Sequence, residues 1–123
     1  MSFLFHRGLP AAIAVMALAS VGCASQRSTA ALAPGSQASL EGTIASIDTQ
    51  PWTYDGNAVV LLDTTTHGQV PVQLPARWNL CKAASVDVAA MRTGQRVRAI
   101  GTVIDDRALV VCERTEHRLQ PLD

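Results

Sequence analysis

The chain has 123 residues, with ten basic and ten acidic side chains and a formal net charge of zero. This length favours a single domain, and the balanced charge lacks the excess of basic residues that is typical of a general nucleic-acid binder. Phe3 and Phe5 lie near the N-terminus, which leaves Trp52, Tyr54 and Trp78 as the aromatic residues of the remaining chain. They are few for a platform on which bases stack, so we expect no nucleic acid among the partners.

Residues 1–22 have the pattern of an export signal. A basic start without acidic residues precedes the apolar stretch 9–21, which is too short to span a bilayer as a helix. Small residues then lead directly to Cys23, an arrangement that resembles a bacterial lipoprotein signal. On that resemblance, residues 1–22 are removed and Cys23 carries fatty acyl chains such as palmitate. The alternative is ordinary cleavage, for instance after Ala19, which would leave Cys23 as a free thiol.

Residues 23–38 are predicted to be a flexible tether. They are rich in Ser, Ala, Gln, Gly and Pro and show no apolar periodicity. In lipoproteins of this kind, a residue such as Ala24 after the cysteine indicates sorting to the outer membrane. The resemblance therefore implies that a lipid anchor holds residues 39–123 as a domain at the periplasmic face of the bacterial outer membrane.

Residues 39–123 are predicted to form three strands, one short helix and two further strands. The apolar runs place strands at 40–48, 58–64, 69–74, 96–103 and 109–112, a helix at 86–91 and a tail at 118–123. Ser85 can cap the helix. Gly42 and Gly101 lie inside strands, as glycines do where a strand bends at a barrel corner, and Pro71 indicates a strand edge. This order predicts an all-β fold with one short helix, an OB-fold-like five-stranded Greek-key barrel.

The domain resembles the bacterial OB-fold family of small periplasmic proteins. The resemblance is carried by the motifs at 40–44, 62–63, 68–72, 77–79 and 94–103. It implies an exported OB-fold that lacks catalytic residues and cofactors, takes part in envelope stress and binds small or cationic ligands. The chain departs from the family in its lipoprotein-type signal and in a longer helix region framed by two cysteines.

Cys81 and Cys112 are predicted to form a disulfide. If Cys23 is acylated, they are the two cysteines that remain, and in an oxidising compartment such a pair most simply bonds. The alternative is a metal site formed by both cysteines and His117. It lacks the close ligand spacing of zinc sites, so we expect no metal.

No catalytic residue is predicted. Glu113, Thr115 and His117 share one face if the last strand continues, and a Glu beside a His can perform acid–base chemistry. However, the chain has no GxSxG nucleophile motif and no glycine-rich phosphate loop. The pattern therefore favours a solvated strand end, and His67 is interpreted as a surface residue of a turn.

Two regions are candidates for binding. Trp52 and Tyr54 lie between the first two strands, in the loop that flanks the ligand face of OB-folds. Trp52 either anchors a partner or folds back over the end of the barrel, and Trp78 is expected to plug the barrel.

The second region is a pair of arginines, Arg96 and Arg98, on one face of the fourth strand. With Arg114 they could form a small basic patch for an anionic partner, although Glu113 and Glu116 favour a mixed, salt-bridged surface.

The sequence thus predicts a lipid-anchored, non-catalytic binding protein. Its partner is either a small ligand or, if the chain is an adaptor, an outer-membrane or secretion complex.

Overall fold

The computed structural model describes residues 31–105 and 107–122, which form six β-strands. The strands are β1 (Gln37–Asp48), β2 (Ala58–Thr64), β3 (Gly68–Leu74), β4 (Arg96–Val103), β5 (Leu109–Val110) and β6 (Arg118–Pro121). Single 3-10 turns occur at Gln50–Tyr54, Trp78–Leu80 and Val88–Ala90.

Five of the strands close into a barrel. The order is β1-β2-β3-β5-β4, and β1 also pairs with β4, which completes the circle. The β3–β5 pair is parallel and the other pairs are antiparallel. The predicted all-β, OB-fold-like barrel is confirmed, and β6 adds one further strand alongside β4.

The two glycines inside strands lie where neighbouring backbones come very close. A Cβ atom at Gly42 would lie 2.7 Å from the Asp63 carbonyl oxygen, and one at Gly101 would lie 2.5 Å from that of Val110. Around Gly42, strand β1 passes from pairing with β4 to pairing with β2, and Thr43 has a partner in both. A side chain at either glycine would therefore push apart strands whose contact closes the barrel.

Strict alternation on the strands builds the core. In β4 every second residue from Val97 to Val103 is buried, and β2 and β3 alternate in the same way. The core is aliphatic, with Ile44, Leu62, Leu74 and Leu109 among its largest buried side chains. Pro71 pairs with Leu61 of β2, whereas β5 meets β3 only from Val72 onward, so the predicted edge at Pro71 is confirmed.

The predicted helix at 86–91 is wrong. The segment holds one 3-10 turn, Val88–Ala90, and no side chain caps it. Ala83 and Val88 are buried and Val86 and Met91 pack against the core, a spacing that does not follow one helical face. So short a segment gains too few hydrogen bonds to offset helix nucleation. Among residues 31–105 and 107–122, no helix has the length and apolar character needed to cross a membrane.

The predicted last strand and tail are also different in the structure. Strand β5 ends at Val110 instead of residue 112, and residues 118–123, predicted to be a tail, contain β6. Thr102 of β4 pairs with Val110, so an uninterrupted ladder would pair Ile100 with Cys112. Instead, Ile100 pairs with Arg118. A turn at 113–117 is therefore inserted between two segments that pair with the same edge of β4.

The ordered domain begins before the predicted boundary at residue 39. Gln37 and Ala38, assigned to the tether, belong to β1 and pair with β4. Leu32 is only 7% exposed and joins the core. The Gly35 N–H donates to the Val103 carbonyl at 2.7 Å, and the Val103 N–H donates to the Ser36 carbonyl at 2.8 Å.

Candidate functional site

The loop between β1 and β2 is a tightly bonded turn. The Gly56 N–H donates to the Pro51 carbonyl at 2.7 Å, and Asp55 adopts a left-handed conformation with φ of 61°. The Asp48 carboxylate accepts the Gln50 N–H at 3.0 Å, at the start of the turn. These local bonds hold the aromatic residues of the loop at defined positions.

Trp52 folds back onto the barrel. Its indole Nε1–H donates to the Leu74 carbonyl at 2.9 Å, and the half-buried ring packs against the core. Of the two alternatives that the sequence leaves open, the structure places Trp52 as a cover for the barrel end. Tyr54, two residues on, is 86% exposed, so it is the aromatic side chain of this loop that faces solvent.

A second 3-10 turn follows β3 and supplies further apolar surface. Trp78 is half-buried and packs against the core, whereas Leu80 is 71% exposed. An ion pair of 3.2 Å between Arg77 and Asp55 joins this turn to the first. Because both partners are largely exposed, the pair contributes little to stability.

We call the four side chains Trp52, Tyr54, Trp78 and Leu80 the aromatic end. Its tryptophans lie against the core and its two outer residues face solvent. Sequence reasoning found Trp52, Tyr54 and Trp78 but missed Leu80, since one leucine in a polar stretch gives no sign of exposure. Small-molecule sites are usually concave, whereas exposed aromatic and apolar side chains on a rigid support are typical of protein-docking surfaces.

The structure pairs both predicted arginines with one glutamate. In the β1–β4 register Glu41 lies directly opposite Arg98, which donates hydrogen bonds to its carboxylate. Arg96 lies 3.8 Å from the same carboxylate. The hydrogen bond from Arg98, together with its charge, lowers the pKa of Glu41.

The expected mixed surface is thus present, with a different acid. Glu41 was not foreseen because it comes from a strand distant in sequence. Arg114 lies in the turn 113–117, where its closest carboxylate is that of Glu116 at 3.9 Å, and does not extend the arginine pair along a strand.

Cys81 and Cys112 form the predicted disulfide. The bond attaches the connection between β3 and β4 to the end of β5, and the Lys82 and Ala83 N–H groups both donate to the Cys112 carbonyl. Because the disulfide uses both sulfur atoms, the alternative metal site with His117 does not form. In the described part of the chain, no three His, Cys, Asp or Glu side chains lie close enough to hold a metal ion.

His117 occupies a position that the sequence did not predict. It is 1% exposed, and its Nδ1 accepts the Cys112 N–H at 3.3 Å. Burial lowers its pKa. The expected solvated strand end is therefore wrong at this residue, and its neighbours Glu113 and Thr115 lie in an exposed turn rather than on a strand.

Cys23, the predicted lipidation site, lies outside the described residues. In the comparisons with known proteins, no family model matches this chain, and neither a curated protein nor a solved structure does.

Proposed function

We propose that this chain is a lipid-anchored binding domain of the bacterial envelope, without catalytic activity, that docks onto a protein partner through the aromatic end. The observation that carries the proposal is the exposure of Tyr54 and Leu80 on two turns whose tryptophans, Trp52 and Trp78, pack against the barrel core. Because the backbone of these turns is already held in place, binding would order less of the chain, and burial of the two side chains would favour association. The aromatic end therefore suits an adaptor.

The disulfide supports a location outside the cytoplasm. Such bonds persist in oxidising compartments, the bacterial periplasm among them. Together with the signal-like residues 1–22 and Cys23, it favours a domain held at the periplasmic face of the outer membrane. Because Leu32 already packs in the core, such a lipid would hold the barrel by a shorter tether than the sequence predicts.

Labelling with an alkyne analogue of palmitate tests the anchor. We expect label on the full chain and none on the Cys23→Ser variant, which should be released from membranes. A wild-type chain that takes no label would favour ordinary cleavage of the signal.

Binding of a small ligand, as the family resemblance implies, is the second candidate. The depression formed by Arg92, Thr93, Gly94 and Gln95, before β4, includes no residue of the aromatic end. Arg96 and Arg98 already share Glu41, so an anionic ligand would have to compete with that carboxylate. These features favour a protein partner over a small ligand.

Photo-crosslinking in living cells tests the docking surface. A photoreactive residue replaces Tyr54, since Trp52 is engaged with the barrel, and a second variant carries it at Leu80. The control position is Gln69, an exposed residue of β3. We expect one discrete protein adduct from both positions and none from Gln69. The absence of an adduct from a correctly localised protein would contradict docking and favour the small ligand.

The variants Tyr54→Ala and Leu80→Ser should separate binding from stability. Both side chains are exposed, so the midpoint of thermal unfolding should hardly change. Removal of an interface anchor typically costs more than about 1.4 kcal/mol, a tenfold loss of affinity. Binding to the captured partner, measured by titration, should weaken by that factor or more, while Gln69→Ala should bind as the wild type does.

A further inference from the structure

His117 is the one buried polar or charged residue in the described part of the chain, and its imidazole is only half satisfied. Nδ1 accepts the Cys112 N–H, whereas the buried Nε2 has no hydrogen-bond partner among the described residues. An N–H donor opposite Nδ1 requires that this nitrogen carry no proton. The observed arrangement is therefore specific to the neutral ring with its proton on Nε2.

His117 ends the turn that separates the two segments paired with one edge of β4. Strand β5 has two residues, and the turn 113–117 interrupts the ladder before β6 begins. The Cys112 N–H and the His117 N–H, which donates to the Arg114 carbonyl at 3.1 Å, hold this turn closed. On the other side of Cys112, the disulfide and the bonds from Lys82 and Ala83 do not depend on the ring.

We propose that His117 is an acid-sensitive latch: protonation of its imidazole opens the turn 113–117 and releases β6 from β4, while the disulfide keeps the five-stranded barrel closed. A proton on Nδ1 removes the acceptor of the Cys112 N–H and places two like donors against each other. A proton also creates a charge on a side chain that is only 1% exposed, and burial disfavours the charged form of the ring.

The surrounding charges do not cancel this effect. The charged groups that act on the ring are Glu116 and Glu113, which favour its protonation, and Arg114, which opposes it. All three belong to the same turn, and burial outweighs them, so the pKa of closed His117 lies below the ordinary value of 6.5. The segment bonded to Cys112 on the other side of the disulfide contains Lys82 and Ala83. Ala83 is apolar, and the side chain of Lys82 is exposed to solvent.

Opening of the turn 113–117 depends on pH because the open and closed states bind different numbers of protons. An opened ring regains an ordinary pKa, so the open state binds more protons than the closed state. Opening therefore becomes more favourable as the pH falls below the ordinary histidine pKa of 6.5. The gain ends once the pH falls below the lower pKa of the closed state, where both states are protonated. Release of β6 would leave the edge of β4 around Val97–Ile100 unpaired, and an unpaired edge can accept a strand from another chain.

Hydrogen exchange read by mass spectrometry on the full chain tests the latch. At pH 7.5 and pH 5, exchange of β4 and β6 is compared with that of β2 after correction for intrinsic exchange rates. We expect the opening equilibrium of β6 to rise by up to about 30-fold, the full protonation effect of a group with an ordinary histidine pKa, while β2 stays protected.

The variant His117→Asn keeps an oxygen acceptor near Nδ1 without a titrating group and should remove the pH step. His67→Asn, at a half-buried turn position, is the matched control and should keep the step.

Three results would overturn the proposal: no pH step at β6 in the wild type, an equal step in His117→Asn, or an equal rise in β2, which would mean global opening. If His117→Asn does not fold, the comparison of β6 with β2 in the wild type still decides between latch and global opening.

Discussion

Gly101 shows how one missing side chain allows the barrel to close. It follows the β4 residues that pair with β6 and precedes those that pair with β5. The Val110 carbonyl occupies the space that a Cβ atom would need. Because this obstacle is backbone in a two-residue strand, it cannot move aside as a flexible side chain would.

We therefore expect Gly101→Ala to destabilise the domain by about 1–3 kcal/mol, the usual cost of overpacking. Urea unfolding followed by circular dichroism measures this change. Thr102→Ser, at the adjacent and partly exposed position, keeps the hydroxyl that donates to Glu113. It serves as the control and should change stability by less than about 0.5 kcal/mol. Equal stability of Gly101→Ala and the wild type would show that the β4–β5 contact can relax.

At the scale of elements, the disulfide holds the end of the short strand β5 in place. Strand β5 pairs through two residues on each side, which is little for an element that closes the barrel. Cys112 follows shortly after and is bonded to Cys81, so the connection between β3 and β4 and the end of β5 hold each other in place.

The double variant Cys81→Ser/Cys112→Ser should lose about 3.7 kcal/mol of stability. This figure follows from the closure entropy of a loop in which the cysteines are 31 residues apart. Denaturant unfolding of the variant and of the reduced wild type should give the same midpoint, well below that of the oxidised protein. If reduction left the midpoint unchanged, the connection would be held by packing alone.

At the scale of the whole molecule, residues 32–38, which look like part of a tether in the sequence, contribute to the packing and bonding of the barrel. Leu32 fills part of the core, and the backbone at Gly35 and Ser36 bonds to the last residue of β4. Burial of one leucine contributes about 1.5–3 kcal/mol and each backbone bond about 1 kcal/mol.

A chain shortened to begin at Ser39 should therefore be less stable than one that begins at Ala31 by about 3–5 kcal/mol. Thermal unfolding of the two shortened chains, beside the full chain, checks this expectation. Similar unfolding midpoints for both would place the boundary of the domain where the sequence pattern puts it.

Much of the fold can be predicted because it depends on local patterns. Alternation in β4, the glycines at 42 and 101 and the proline at 71 each follow from the geometry of a single strand. The disulfide was predictable from cysteine number and compartment. The aromatic residues of the first loop could be found, but their division into a covering Trp52 and an exposed Tyr54 could not, since it depends on a carbonyl 22 residues away.

The sequence by itself determined the all-β class, the order of the first four strands and the cysteine pair, because these depend on periodicity and composition. Tertiary structure alone decided the burial of His117, the pairing of Glu41 with two arginines, the place of Leu32 in the core and the exposure of Leu80. Each of these depends on which distant strand or turn lies opposite the residue. A polar run such as Glu113–His117 looks solvated in sequence, and only the closed barrel, with β5 and β6 on one edge of β4, brings its last residue inside.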